Sequence, residues 1–157
     1  METTKAFEAL AATLSGKRIS YLWRGYGSAV FIELGDLTPR TRRDGSQGHP
    51  EGQISLGVEW SWRIEDEKQI LSGSWSAEDL WEPAFALLRD TQVASVRLFG
   101  KLPEIELSTV QGVRFVSFST THGQPQWHLV DRRSGFPQWF SVQNGQLHLG
   151  DGSEPAL

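Results

Sequence analysis

The stretch Ser55-Leu56-Gly57-Val58-Glu59-Trp60-Ser61-Trp62-Arg63-Ile64 decides the fold class. Leu56, Val58, Trp60, Trp62 and Ile64 alternate with Ser55, Gly57, Glu59, Ser61 and Arg63, the period of a β-strand. One apolar and one polar face predict a half-buried antiparallel strand with Trp60 and Trp62 in the core and Glu59 in water. Glu65-Asp66-Glu67 reads as a charged turn, and Gln69 to Trp75 as the returning partner.

Before this strand, Phe7, Leu10, Ala11 and Leu14 stand at helical spacing and predict a helix over Thr4 to Leu14, stopped by Gly16. Ile19, Tyr21 and Trp23 then alternate, and Gly25-Tyr26-Gly27-Ser28 allows a tight reversal into Ala29 to Leu34. Residues 35–52 are rich in Gly, Pro and polar side chains without alternation, and predict a long exposed loop carrying Arg40, Arg42 and Arg43.

After the strand pair, Leu80, Trp81, Ala84, Phe85 and Leu88 share one helical face behind Ser76 and Asp79, which resemble a capping box. Pro83 has no N–H to give to a helix interior, which moves the expected start to near Glu82. Further strands are predicted at Val93 to Phe99, Glu104 to Thr109, Val113 to Ser119, Gln126 to Asp131 and Gln138 to Val142. A weak last strand is expected near Leu147, with a frayed tail from Gly150. The prediction is an α+β or mainly β single domain over 1–157: curved antiparallel sheets or a partly open barrel, with two short helices.

The element order suggests a duplication. Phe7, Leu10, Ala11, Leu14 and Ile19 match Trp81, Ala84, Phe85, Leu88 and Val93 at one constant offset, and Ile32-Glu33-Leu34 matches Ile105-Glu106-Leu107 one residue out of step. Pseudo-repeats at 4–75 and 77–149 would each hold a helix and about four strands. The loop at 35–52 would then be an insertion, a place where function often sits.

Composition narrows the chemistry. With 38% hydrophobic and 22% charged residues the chain is ordinary for a globular protein, and it contains no cysteine for disulfide or thiolate chemistry. No run reaches the roughly 18 apolar residues of a membrane-spanning helix, so a cytoplasmic location and no membrane partner are expected. The net charge of −4 disfavours nucleic acid. Seven Trp and eight Phe are the anomaly, since each ring either fills a core or forms an exposed platform.

Motifs for catalysis are weak. Gly25-Tyr26-Gly27-Ser28-Ala29-Val30 lacks the third glycine of a dinucleotide fingerprint and runs into a strand, so no cofactor is expected. His49, His122, His128 and His148 lack paired spacing, which argues against a metal; His49 and His122 read as solvated loop residues and His128 as hydrogen-bonded on a polar face. Glu104 and Glu106 share a strand face and, with Glu59 or Glu33 across the sheet, offer the best enzymatic possibility, a carboxylate set for a hydrolase, although any solvent-facing strand shows the same alternation. The expectation is therefore against an enzyme.

The segments Trp23-Arg24-Gly25-Tyr26-Gly27-Ser28-Ala29, Ile32-Glu33-Leu34-Gly35 and Glu59-Trp60-Ser61-Trp62-Arg63-Ile64 together resemble a loose set of short bacterial proteins with no assigned function. The resemblance carries no catalytic or ligand-binding positions. By analogy of size and charge, such acidic domains are similar to immunity or antitoxin proteins, which cover the active surface of a toxin.

The leading expectation is a non-catalytic module that binds another protein through Arg40, Arg42 and Arg43 and through Phe136, Trp139 and Trp127. The alternatives are a small-molecule or carbohydrate binder with a tryptophan-lined cleft, and a hydrolase built on Glu59, Glu104 and Glu106. A flat or convex apolar patch near Trp139 or the arginine loop favours the first, and a concave pocket with several tryptophans and convergent polar groups favours the second. Two carboxylates within about 5 to 10 Å in a cleft favour the third.

Overall fold

The deciding stretch is two strands rather than one. In the computed structural model, which describes residues 2–123 and 126–150, β3 (Ile54–Val58) ends before Glu59 and β4 (Trp62–Glu65) begins in a different sheet. The Glu59 N–H still donates to Gln126 O in the first sheet, at 3.2 Å, whereas Ser61 O already accepts from Phe118 N in the second, at 3.0 Å. Alternation survives the corner because inward and outward keep their meaning on both sides of it. Trp62 is fully buried as expected, but Trp60 sits on the corner itself and is only half-buried. The wet face expected for Ser55, Gly57 and Glu59 is also covered: all of β3 is buried and Glu59 is half-buried.

The remaining elements are α1 (Glu2–Ala12), β1 (Ile19–Arg24), β2 (Val30–Leu34), β5 (Ile70–Gly73), α2 (Trp81–Leu88), β6 (Val93–Phe99), β7 (Glu104–Thr109), β8 (Arg114–Ser117), β9 (Trp127–Asp131), β10 (Gln138–Gln143) and β11 (Gln146–Gly150). They form two antiparallel sheets, ordered β1-β2-β3-β9-β10-β11 and β5-β4-β8-β7-β6, which do not close into a barrel. The protein is mainly β with two short helices. The tail expected after Gly150 lies outside the described residues.

The larger sheet takes three strands from each half of the chain and the smaller takes two from the first half and three from the second; apart from the edge strand β11, the order of connection is the same. Around the antiparallel Arg18–Gln92 bridge, Ile19 N donates to Thr91 O and Val93 N to Lys17 O, both at 2.8 Å, and Gly16 N to Val93 O and Asp90 N to Ile19 O, both at 2.8 Å. Each pair relates positions at the offset read from the sequence, and β1 and β6 carry register shifts at corresponding places, Ile19/Tyr21 and Val93/Ser95.

The core lies between the sheets and under the helices. Phe7 of α1 meets Trp127 and Phe140 edge-on at 5.8 and 5.4 Å, and Trp81 of α2 meets Trp62 at 5.0 Å. Trp62 and Trp127 donate their indole N–H groups to Ser28 O and Pro103 O, at 2.7 and 3.0 Å, which satisfies a polar atom that burial would otherwise penalise. Pro83 falls in the first turn of α2, where no amide is needed. The Ser76–Asp79 capping box does not form; a 3₁₀ turn at Glu78–Leu80 leads into the helix without a side-chain cap.

Residues 35–52 are more ordered than a loop. Thr38 and Glu51 exchange backbone hydrogen bonds at 2.7 and 2.9 Å, Thr41 bridges Gln47, and Arg42 N donates to Ser46 O. The chain therefore folds back as an arm rooted between β2 and β3. The corresponding connection of the other half, between β7 and β8, is a tight turn closed by Gly112 N donating to Thr109 O.

Candidate functional site: an aromatic cleft on the larger sheet

Strand registry places Trp23, Phe31, Gly57 and His128 side by side as successive cross-strand partners on the outer face of the larger sheet. Tyr21, Glu33, Ser55, Val130 and Trp139 form the neighbouring row. Directly opposed side chains are close enough to pack. Trp23 stacks on Phe31 at 4.1 Å, and His128 stacks on Trp139 at 5.1 Å. Gly57 supplies the room between these pairs: a Cβ there would fall 2.9 Å from Phe31 Cε1 and closer still to the His128 ring.

The arm is clamped onto this face by a polar network. Glu33, only 2% exposed, accepts from Trp23 Nε1 at 2.9 Å, from Gly52 N at 2.9 Å and from Ser55 Oγ. Arg132 donates to Ser55 Oγ at 2.6 Å and to Gly52 O at 3.1 Å, and pairs with Glu51 at 3.2 Å; Glu51 also meets Arg40 at 3.4 Å. A Cβ on Gly52 would fall 2.6 Å from Leu34 O, so only glycine passes at the root. Further out, His49 stacks on Trp23 at 4.5 Å while its Nδ1 meets Tyr21 OH at 2.9 Å.

Between the arm and Trp139 lies a cleft of about 310 Å³. Phe31, Glu33 and Val130 belong to its floor, Arg40 and Glu51 reach in from the arm, and Glu59, His128 and Arg132 complete the polar lining. A second depression of about 380 Å³ lies against Trp23, Arg42 and His49. Burial pushes the Glu59 carboxyl above the usual glutamate range. Burial, with the Arg132 charge adding to it, holds His128 down to about 4, so its ring is neutral near neutral pH. Among the described residues no group donates to the Glu59 carboxylate, and neither nitrogen of His128 has a hydrogen-bond partner.

The residues expected to bind do not all converge. Arg40 and Trp139 meet in the cleft. Arg42 is folded onto its own arm through Gln47 O at 2.7 Å, and Arg43 is exposed at the tip. Phe136, 86% exposed, lies in the β9–β10 turn beside Pro137 and Leu149. Trp127 is a correction: it has no exposure and fills the core against Phe7, because its position in β9 points inward. His49 and His128 are corrections too, since one is stacked rather than solvated and the other lies on the outer face stacked on Trp139, with no hydrogen bond among the described residues. Trp23, Phe31 and Arg132 were missed. The signal for the first two was an aromatic residue at the outward position of both β1 and β2.

The carboxylate set Glu59, Glu104 and Glu106 does not assemble. Glu106 belongs to the smaller sheet, where it pairs with Arg97, and Glu104 accepts from Ser117 Oγ at 2.7 Å and Ser119 N at 2.8 Å; Glu59 lines the cleft of the larger sheet. The outer face of the smaller sheet is instead a ladder of ion pairs, with Arg114 joined to Glu65 at 2.6 Å and Arg63 to Glu65 at 2.6 Å.

Among the described residues no helix is long and apolar enough to cross a membrane, and no cluster of metal-ligating side chains occurs. Comparison with family models, with curated proteins and with solved structures finds no match.

Proposed function

We propose that this protein is a non-catalytic binder of a small cyclic ligand of sugar size, held in the cleft between the arm and Trp139. The reading rests on one observation: a concave site of about 310 Å³ that joins aromatic rings from three strands with converging carboxylate, imidazole and guanidinium groups. Such a mixture suits a ring with an apolar face to lie against Trp139 and Phe31 and hydroxyl or amine edges for the polar lining. A pyranose has both.

The test is a titration of glucose and glucosamine followed by the indole N–H resonances in two-dimensional NMR. Binding that moves the Trp139 resonance, and that weakens at least tenfold in Trp139→Ala while the melting temperature stays within a few degrees, supports the proposal. Saturating sugar that leaves the Trp139 resonance unmoved defeats it.

A protein partner remains a second proposal, supported by Phe136, whose ring is almost wholly exposed beside Pro137 and Leu149. It predicts that Phe136→Ser abolishes capture of a protein that Trp139→Ala still captures.

A further inference from the structure

Most polar groups of the cleft are already engaged. Glu33 accepts from three donors, Arg132 is divided among Ser55, Gly52 and Glu51, and Arg40 is turned to Glu51. An incoming ligand meets an already engaged Glu33 and Arg132, and an Arg40 whose contact is a single ion pair to Glu51. Among the described residues, the groups of the lining left without a hydrogen-bond partner are Glu59 and His128.

These two are neighbours by construction. Gly57 pairs with His128, and the Glu59 amide bonds to Gln126 O, so Glu59 and His128 stand diagonally on the same outward face. Diagonal cross-strand positions are about 7 to 8 Å apart, within reach of one small ring bridging them. The missing side chain at Gly57 lets the His128 ring lie close against the sheet beside Phe31.

Resting on the cleft reading, we infer that Glu59 and His128 are its recognition pair and that they select a polyhydroxy ring carrying an amine, accept the neutral ring less well, and reject the acid. Glu59 offers only acceptor oxygens. A half-buried carboxylate without donors gains most from an ammonium, next from a hydroxyl, and is repelled by a second carboxylate. The neutral His128 ring donates from one nitrogen and accepts at the other, which fits a hydroxyl of either kind of sugar. Arg40 and Arg132 are balanced by Glu51 and Glu33, so Glu59 leaves the lining with one carboxylate in excess, which disfavours an anion.

The experiment compares glucosamine, glucose and glucuronate, which share one ring and differ in charge, by calorimetry near neutral pH. Glucosamine is expected to bind about five- to tenfold more tightly than glucose, with glucuronate weakest. Glu59→Gln should erase the amine preference, weakening glucosamine by more than it weakens glucose, and His128→Gln should weaken glucosamine and glucose alike without changing their order. The preference should also fade as pH falls through the raised Glu59 value, at a pH where an ordinary glutamate is still ionised. Glucuronate binding as well as glucosamine, or an amine preference that persists in a folded Glu59→Gln protein, overturns the inference alone. If none of the three sugars binds, the cleft reading falls and the inference with it.

Discussion

A methyl group at Gly57 would press on both Phe31 and His128, so Gly57→Ala forces the two sides of the aromatic row apart. Overpacking of this kind costs about 1 to 3 kcal/mol, and denaturant unfolding of the variant should show a loss in that range. Glu33→Ala deletes the acceptor for three donors, at least two of which are then left in a dry environment. A loss of more than about 2 kcal/mol is expected in the same measurement, and a neutral result would mean that water replaces the carboxylate. His128 gives a pH dependence of definite sign. Its folded value is about 4 against an ordinary 6.5, so between these values the unfolded chain binds more protons than the folded one. Stability therefore falls as pH drops from about 6.5 to about 4 and below, by no more than about 3.5 kcal/mol in all, and His128→Gln should flatten that part of the stability curve. At this scale the sequence was a partial guide. It gave the inward-facing residues well, because alternation reports burial directly. It could not distinguish Trp127 from Trp139, since both lie in neighbouring strands of one sheet and only the register of each fixes which face its side chain takes.

The arm is the element on which the site depends, and its grip on the sheet is local. His49 bears on Trp23 and Tyr21, whereas Glu51 and Gly52 are tied to Arg132 and Glu33. His49→Ala should loosen the outer part while the root holds. Hydrogen exchange at the Arg42 and Gly48 amides, which bond within the arm, should quicken several-fold, with the β3 amides unchanged. Equal acceleration of β3 would show that arm and strand open together. The ordering of this segment was hidden in the sequence because its pairings are isolated bridges, too short to leave a period. The corner at Glu59 to Ser61 was hidden for the opposite reason: its pattern continues unbroken through a change of sheet. The helix start at Trp81 shows a further limit, because Pro83 marks a first turn but does not count how many residues precede it.

At the scale of the whole molecule, neither sheet is complete without strands from both halves of the chain. Breaking either half removes partners from the other, so unfolding should be a single event. Far-ultraviolet circular dichroism and tryptophan fluorescence should give superimposable denaturation curves; two separated transitions would contradict this. The chain order of helices and strands was legible from spacing except at Glu59 to Ser61, where one run of alternation covers two strands. The exchange of strands between halves was not, because pairing across long sequence separations leaves no local trace.

The two halves answer one geometric question with different chemistry. At matching places, Trp23 donates an indole N–H to Glu33 and Arg97 a guanidinium N–H to Glu106. Ionic strength should therefore act on the molecule unevenly. Added salt weakens the guanidinium–carboxylate ladder of the smaller sheet and, on the larger, acts on the Glu51 pairs of the arm while leaving the stacked rings nearly untouched, so the electrolyte is felt more on one side than on the other.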